Sequence, residues 1–188
     1  MNDKRYDFFY KEIEELKSKD LYRTLVSVNM NCGRNIALDG KEYVNFASNN
    51  YLDLANDKRI IEAGCKTAYE YGAGSGASRL ISGSIEPVFK LENEFARFSG
   101  KESSLLFNSG YNANVGVISA LSDKNTVIFS DKLNHASIYD GIFLSGAAME
   151  RFPHKNIEIL KKLLLKHSDK KKKIIITDTV FSMEGSIA

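Results

Sequence analysis

From Pro87 onward the apolar residues of this chain switch repeatedly between helical spacing and short β-branched runs. A helical pattern runs to Phe98, followed by a strand-like run at 103–107, a helix at 111–121 and a strand at 126–129. The alternation continues with a helix at 136–145, a strand at 148–152, a helix at 156–167 and a strand at 173–177. Strands separated by helices of this length cannot pair as hairpins. Each helix instead carries the chain back along the sheet, so the strands run parallel and the helices cover their faces. The expected fold class is therefore α/β, with helices packed on a largely parallel sheet. Ahead of this region, Phe9, Ile13 and Leu16 recur at helical spacing and predict a helix that ends near Ser18 to Asp20. Asn35 to Asn45 reads as a hairpin turned by Asp39-Gly40. A helix from about Lys58 to Tyr71 leads into Gly72-Ala73-Gly74-Ser75-Gly76, a run too glycine-rich for regular structure.

Two joints in the alternating region carry chemistry. In Leu105-Leu106-Phe107-Asn108-Ser109-Gly110-Tyr111 an apolar run stops at Asn-Ser-Gly and a helical pattern begins. Such a joint offers free backbone N–H groups and the positive end of a helix dipole, which together suit a phosphate. Ser109, Gly110 and Tyr111 are the candidates, Tyr111 through its amide rather than its hydroxyl. Taken alone, the same joint is also an ordinary connection in which glycine only relieves strain. The second joint, Ser130-Asp131-Lys132-Leu133-Asn134-His135-Ala136-Ser137, follows the apolar run Val127-Ile128-Phe129 and places His135 where a helix begins. Two crossovers of this kind set the phosphate turn and the histidine along one edge of the sheet.

A phosphate site does not here mean a nucleic-acid site, because 26 basic against 24 acidic residues leave a formal charge of +2. The one basic cluster, Lys170 to Lys173, reads as a solvated loop. Cys32 and Cys65 stand far apart without a disulfide framework or metal-ligand spacing, so no metal is expected. The N-terminus leads into a charged amphipathic segment and no apolar run reaches membrane-spanning length, so a cytoplasmic protein without membrane association is expected.

Five runs, in order, resemble the α-oxoamine synthases, a family of fold-type I enzymes that use pyridoxal 5'-phosphate (PLP). They are Phe46-Ala47-Ser48-Asn49-Asn50-Tyr51-Leu52, Gly74 to Gly83, Leu105 to Asn114, Ser130 to Ser137, and Thr177-Asp178-Thr179-Val180-Phe181-Ser182-Met183-Glu184-Gly185. The resemblance implies the PLP-binding large domain of such an enzyme, incomplete here, and an acyl-CoA and an amino acid as substrates. Leu21 to Leu25, Ser78-Arg79 and Ser109-Gly110-Tyr111 are most similar to members that join pimeloyl-CoA to alanine, with members that join acetyl-CoA to glycine as near neighbours. It implies residues 1–50 as an N-terminal helix and hairpin segment and 51–188 as the first part of the large domain. The lysine that bonds PLP, the aspartate that pairs with its ring nitrogen and the small domain are expected beyond Ala188. Family members are homodimers, and a homodimer is the expectation for the longer protein.

The resemblance also implies roles for single residues. His135 would stack on the PLP ring and contact the substrate, although a histidine at a helix start also serves as a plain cap. Ser182 would hydrogen-bond the cofactor, although loop serines commonly bond their own backbone. Arg23 would lie by the acyl-substrate channel, where its forked donors suit a carboxylate or a CoA phosphate; a surface arginine is the alternative. Lys132 reads as solvent-facing rather than as the PLP lysine. Asp178 and Glu184 read as structural, and His154 and His167 as surface residues.

Overall fold

The computed structural model of the chain describes residues 4–29 and 33–188. The expectation for Cys32 falls outside them, and Cys65 is an exposed free thiol. Contacts divide the chain into two units, Met1–Ser84 and Ile85–Ala188.

In the first unit, helix α1 spans Asp7–Ser18, strands β1 and β2 span Asn35–Leu38 and Lys41–Val44, and helix α2 spans Lys58–Tyr71. The strands pair antiparallel with Leu38 opposite Lys41. Between them Asp39 and Gly40 take φ of 49° and 74°, the pair of positive values that a two-residue hairpin turn requires and that Asp-Gly tolerates. Helix α2 starts where the Asp57 carboxylate accepts the Arg59 N–H at 2.9 Å. No residue of α1 or α2 is buried, so this unit contributes little core.

The second unit begins with α3, Glu86–Phe98, which carries Pro87 in its first turn, where a missing N–H costs nothing. It continues with α4 (Gly110–Leu121), β3 (Thr126–Asp131), α5 (Ala136–Ser145), β4 (Ala148–Phe152), α6 (Ile157–Lys166) and β5 (Lys172–Ile176). It closes with the short strands β6 (Val180–Phe181) and β7 (Ser186–Ile187). The sheet has the order β4-β3-β5 and is parallel, with Ile128 opposite both Met149 and Ile174. Every residue of β3 is buried, as expected for a central parallel strand covered on both faces. Ile128 packs with Ile118, Ile138 and Ile142 of α4 and α5. Val127 and Phe129 pack with Phe152 and Leu160 of β4 and α6. The chain steps from β3 to one neighbour and then back past it to the other, so crossovers of one hand fall on opposite faces. This places α5 on one face and α6 on the other.

Helices α4 and α5 meet closely at Gly141, where a Cβ would lie 3.1 Å from the Asn114 carbonyl oxygen and from Ile118 Cβ. The run at 103–107 corrects the sequence reading, because it is irregular and not a strand of any sheet among the described residues. Its polar groups go to α3 instead: the Leu106 N–H donates to Glu92 Oε1 at 2.7 Å and Ser104 Oγ donates to the Glu92 carbonyl at 2.7 Å. Among the described residues strand β5 pairs on one side only, and Ile175 is 50% exposed. The basic cluster is exposed, but Lys172 and Lys173 belong to β5 rather than to a loop.

Candidate functional site

The site forms where β3 and β5 end and α4 and α5 begin. Asn134 ties the strand ends together: its Nδ2 donates to Ser130 Oγ at 2.9 Å and to the Ile176 carbonyl at 2.8 Å. Its Oδ1 accepts the Asp178 N–H at 3.0 Å. Asp178 Oδ2 in turn accepts the His135 N–H at 2.9 Å, so Asp178 is structural, as expected. His135 caps α5 with its ring, its Nδ1 accepting the Ser137 N–H at 3.2 Å and lying 2.7 Å from Ser137 Oγ. A backbone N–H can only donate, so Nδ1 presents its lone pair and the neutral ring carries its proton on Nε2. Asn114 Nδ2 reaches Ser137 Oγ at 2.9 Å and links this network to α4.

At the start of α4, Ser109 Oγ accepts the Asn112 N–H at 3.1 Å and the Ser109 carbonyl accepts the Ala113 N–H at 3.0 Å. The N–H groups of Gly110 and Tyr111, having no carbonyl to reach within the helix, remain available to an anion. The Tyr111 hydroxyl donates to Asp140 Oδ2 at 2.8 Å. That bond, with partial burial and the Asp140 charge, raises the phenol above its usual range and leaves the amide as the group Tyr111 can offer. Ser109→Ala should cost about 1 kcal/mol of stability, the usual worth of such a cap, which urea denaturation would measure.

The third side comes from β6 and the turn after it, with β7 paired behind. Asp131, 2% exposed, ends β3 and accepts the N–H groups of Leu133 at 2.9 Å and Lys155 at 3.1 Å. His154 Nδ1 lies 3.1 Å from both its oxygens, and His154 Nε2 lies 2.8 Å from Ser186 Oγ on β7. Burial works to raise the Asp131 carboxyl, but these hydrogen bonds outweigh it and hold the group below its usual range. The reading of His154 and His167 as surface residues is corrected, since both are half-buried. His167 Nε2 lies 2.6 Å from Glu150 Oε1; Lys166 and His167 together hold the Glu150 carboxyl low.

These pieces enclose an open cavity of about 550 Å³ lined by Gly110, Tyr111, His135 and Ser182, with Asn114 and Asp178 beside them. Four residues marked from the sequence thus share one cavity, and Ser109 caps the helix that supplies two of them. Ser182 is exposed and its hydroxyl has no partner among the described residues. Glu184 lines the cavity, and its carboxylate has no partner among the described residues. No lysine among the described residues lines the cavity, and Lys132 is exposed. Arg23 belongs to the first unit, exposed in the irregular segment after α1. Sequence reasoning missed Asn114, Asn134 and Asp131 as parts of the site. Asn114 was within reach, because it follows Tyr111 by three residues and shares its helix face.

A helix start and a histidine at the carboxyl edge of a parallel sheet form the kind of crevice in which α/β proteins bind ligands, and the helix start suits an anion. Residues 41–188 match the family model for aminotransferase class I and II, and the chain belongs to that family. Within it the sequence is similar to 8-amino-7-oxononanoate synthases. A putative one from Thermodesulfovibrio yellowstonii is 48% identical over 188 residues, which are 100% of this chain and 48% of that protein. The synthase of Geobacter metallireducens is 46% identical over 180 residues, 96% of this chain and 46% of its own length. Among solved structures, Sphingomonas wittichii serine palmitoyltransferase matches with a TM-score of 0.85 at 31% identity, covering 98% of this chain and 47% of that one. An 8-amino-7-oxononanoate synthase from Francisella tularensis matches with a TM-score of 0.64 at 34% identity, covering 76% of this chain and 38% of that one. The chain spans about half the length of the curated relatives it matches. No helix among the described residues is long and apolar enough to cross a membrane.

Proposed function

We propose that this chain is the N-terminal part of a PLP-dependent acyltransferase that joins L-alanine to pimeloyl-CoA, the reaction of 8-amino-7-oxononanoate synthase in biotin synthesis. The observation that carries the reading is the convergence of Gly110, Tyr111, His135 and Ser182 on one cavity. The residues fit PLP: two first-turn N–H groups without acceptors among the described residues suit its phosphate, a flat imidazole suits its ring, and the Ser182 hydroxyl, without a partner among the described residues, suits a polar ring substituent. When bound, PLP supplies an electron sink for a carbanion at the amino-acid α-carbon.

In this reading Gly110 and Tyr111 hold the phosphate through their amides while Ser109 keeps the helix start in shape. His135 covers the ring and offers its Nε2 proton. Arg23 receives the acyl carboxylate or a CoA phosphate. Residues 1–50 form an N-terminal segment and 51–188 the first part of the PLP-binding domain of a cytoplasmic homodimer. The lysine that bonds the cofactor lies outside residues 1–188, a reading supported by a cavity lining without lysine among the described residues.

The test uses the protein in the length in which the cell makes it. Offered pimeloyl-CoA with alanine in competition with acetyl-CoA and glycine, it should release CoA faster from the first pair. Preference for the second pair would reassign it as a glycine C-acetyltransferase, and release from neither would refute the acyltransferase reading.

A further inference from the structure

A two-stranded hairpin is marginal on its own, and β6 and β7 contribute only Val180–Phe181 and Ser186–Ile187. Yet this hairpin carries Ser182, and a serine on a loose hairpin would be a poor ligand. Two contacts fasten it. Phe181 is 2% exposed, and the His154 ring meets it edge-on with centroids 4.3 Å apart. The same imidazole bridges Ser186 Oγ at 2.8 Å and the buried Asp131 carboxylate at 3.1 Å. Asp131 is itself held by the Leu133 and Lys155 amides at the end of the central strand. One ring therefore joins the most buried strand of the unit to both strands of the hairpin.

We propose that His154 is a positioning residue for Ser182, fastening the β6–β7 hairpin to the end of β3. The assignment of Ser182 to the cofactor rests on the function proposed above; the latch itself does not. Ser186, His154 and Asp131 also stand in the order of a hydrolytic triad. Ser186 does not line the cavity, so its hydroxyl serves here as the far end of the latch.

Hydrogen exchange in the chain without cofactor tests the latch. The reporters are the Gly185 amide, bonded to the Phe181 carbonyl at 2.8 Å, and the Ala188 amide, bonded to the Thr179 carbonyl at 3.0 Å. His154→Ala should speed their exchange about tenfold or more, with amides of β3 and α5 changing much less. His154→Gln, which keeps a donor and an acceptor, should restore part of the protection. Ser186→Ala cuts only the far bond and should loosen the same two amides by several-fold, which keeps the test decisive should His154→Ala unfold. Unchanged exchange at Gly185 and Ala188 in Ser186→Ala, or equal acceleration across β3, would overturn the latch. PLP dissociation measured on the same variants separates the two ideas. A loosened hairpin with faster PLP loss supports both, whereas a loosened hairpin with unchanged PLP loss keeps the latch and removes Ser182 from the cofactor site.

Discussion

Asp131→Ala should destabilise the unit Ile85–Ala188 by about 3–5 kcal/mol, the range reached when a buried hydrogen-bond hub is emptied. The carboxylate accepts from Leu133, Lys155 and His154 at once, and alanine would leave two backbone donors and an imidazole facing an apolar gap. Urea denaturation followed by circular dichroism measures the loss. A change below about 1 kcal/mol would show that water replaces the carboxylate at little cost. The same residue sets an acid limb. Its folded-state value lies below the ordinary 3.8, so its stabilising contribution is complete above that value and disappears as pH falls through the lower, folded one. Stability of the native chain should therefore drop on acidification below about pH 4, and Asp131→Ala should lack that part of the drop.

His135→Ala, in the length of protein that turns over substrate, should lower the rate by about 10²–10⁴-fold, the usual contribution of one positioned proton-transferring side chain. PLP retention should fall much less, because the proposed function assigns the phosphate contacts to the start of α4 and not to His135. The variant also loses the cap to the Ser137 N–H, which costs about 1 kcal/mol. Activity is therefore to be compared at a temperature where both proteins are folded. Turnover equal to that of the native protein would remove His135 from the mechanism.

The capped helix start at Ser109, Gly110 and Tyr111 was legible in the chain because it rests on local backbone geometry: a cap, a glycine and two first-turn amides. His135 was legible as a helix-start residue for the same reason, and the imidazole that caps α5 also lines the cavity. What holds it there was not legible. The Asp178 carboxylate that receives its amide is 43 residues away in sequence, and the Asn114 amide that reaches Ser137 is 23 residues away. No local pattern marks such pairs.

The same division explains where the sequence reading failed. The run at 103–107 has the composition of a strand, but a strand exists only with a partner, and its backbone found the Glu92 carboxylate instead. His154 stands beside Pro153 in a short connection and looks like surface, yet Asp131 and Ser186, 23 and 32 residues away, enclose it. The sequence by itself determined the helices of the second unit and the strands β3, β4 and β5, the Asp-Gly hairpin and the capped start of α4, because periodicity, capping and turn chemistry are short-range. Only the tertiary structure decided the strand order β4-β3-β5 and the opposite placement of α5 and α6. It also decided which polar side chains meet at the end of β3. Those choices depend on groups brought together by the sheet, whose contact energies are not written in the spacing of neighbouring residues.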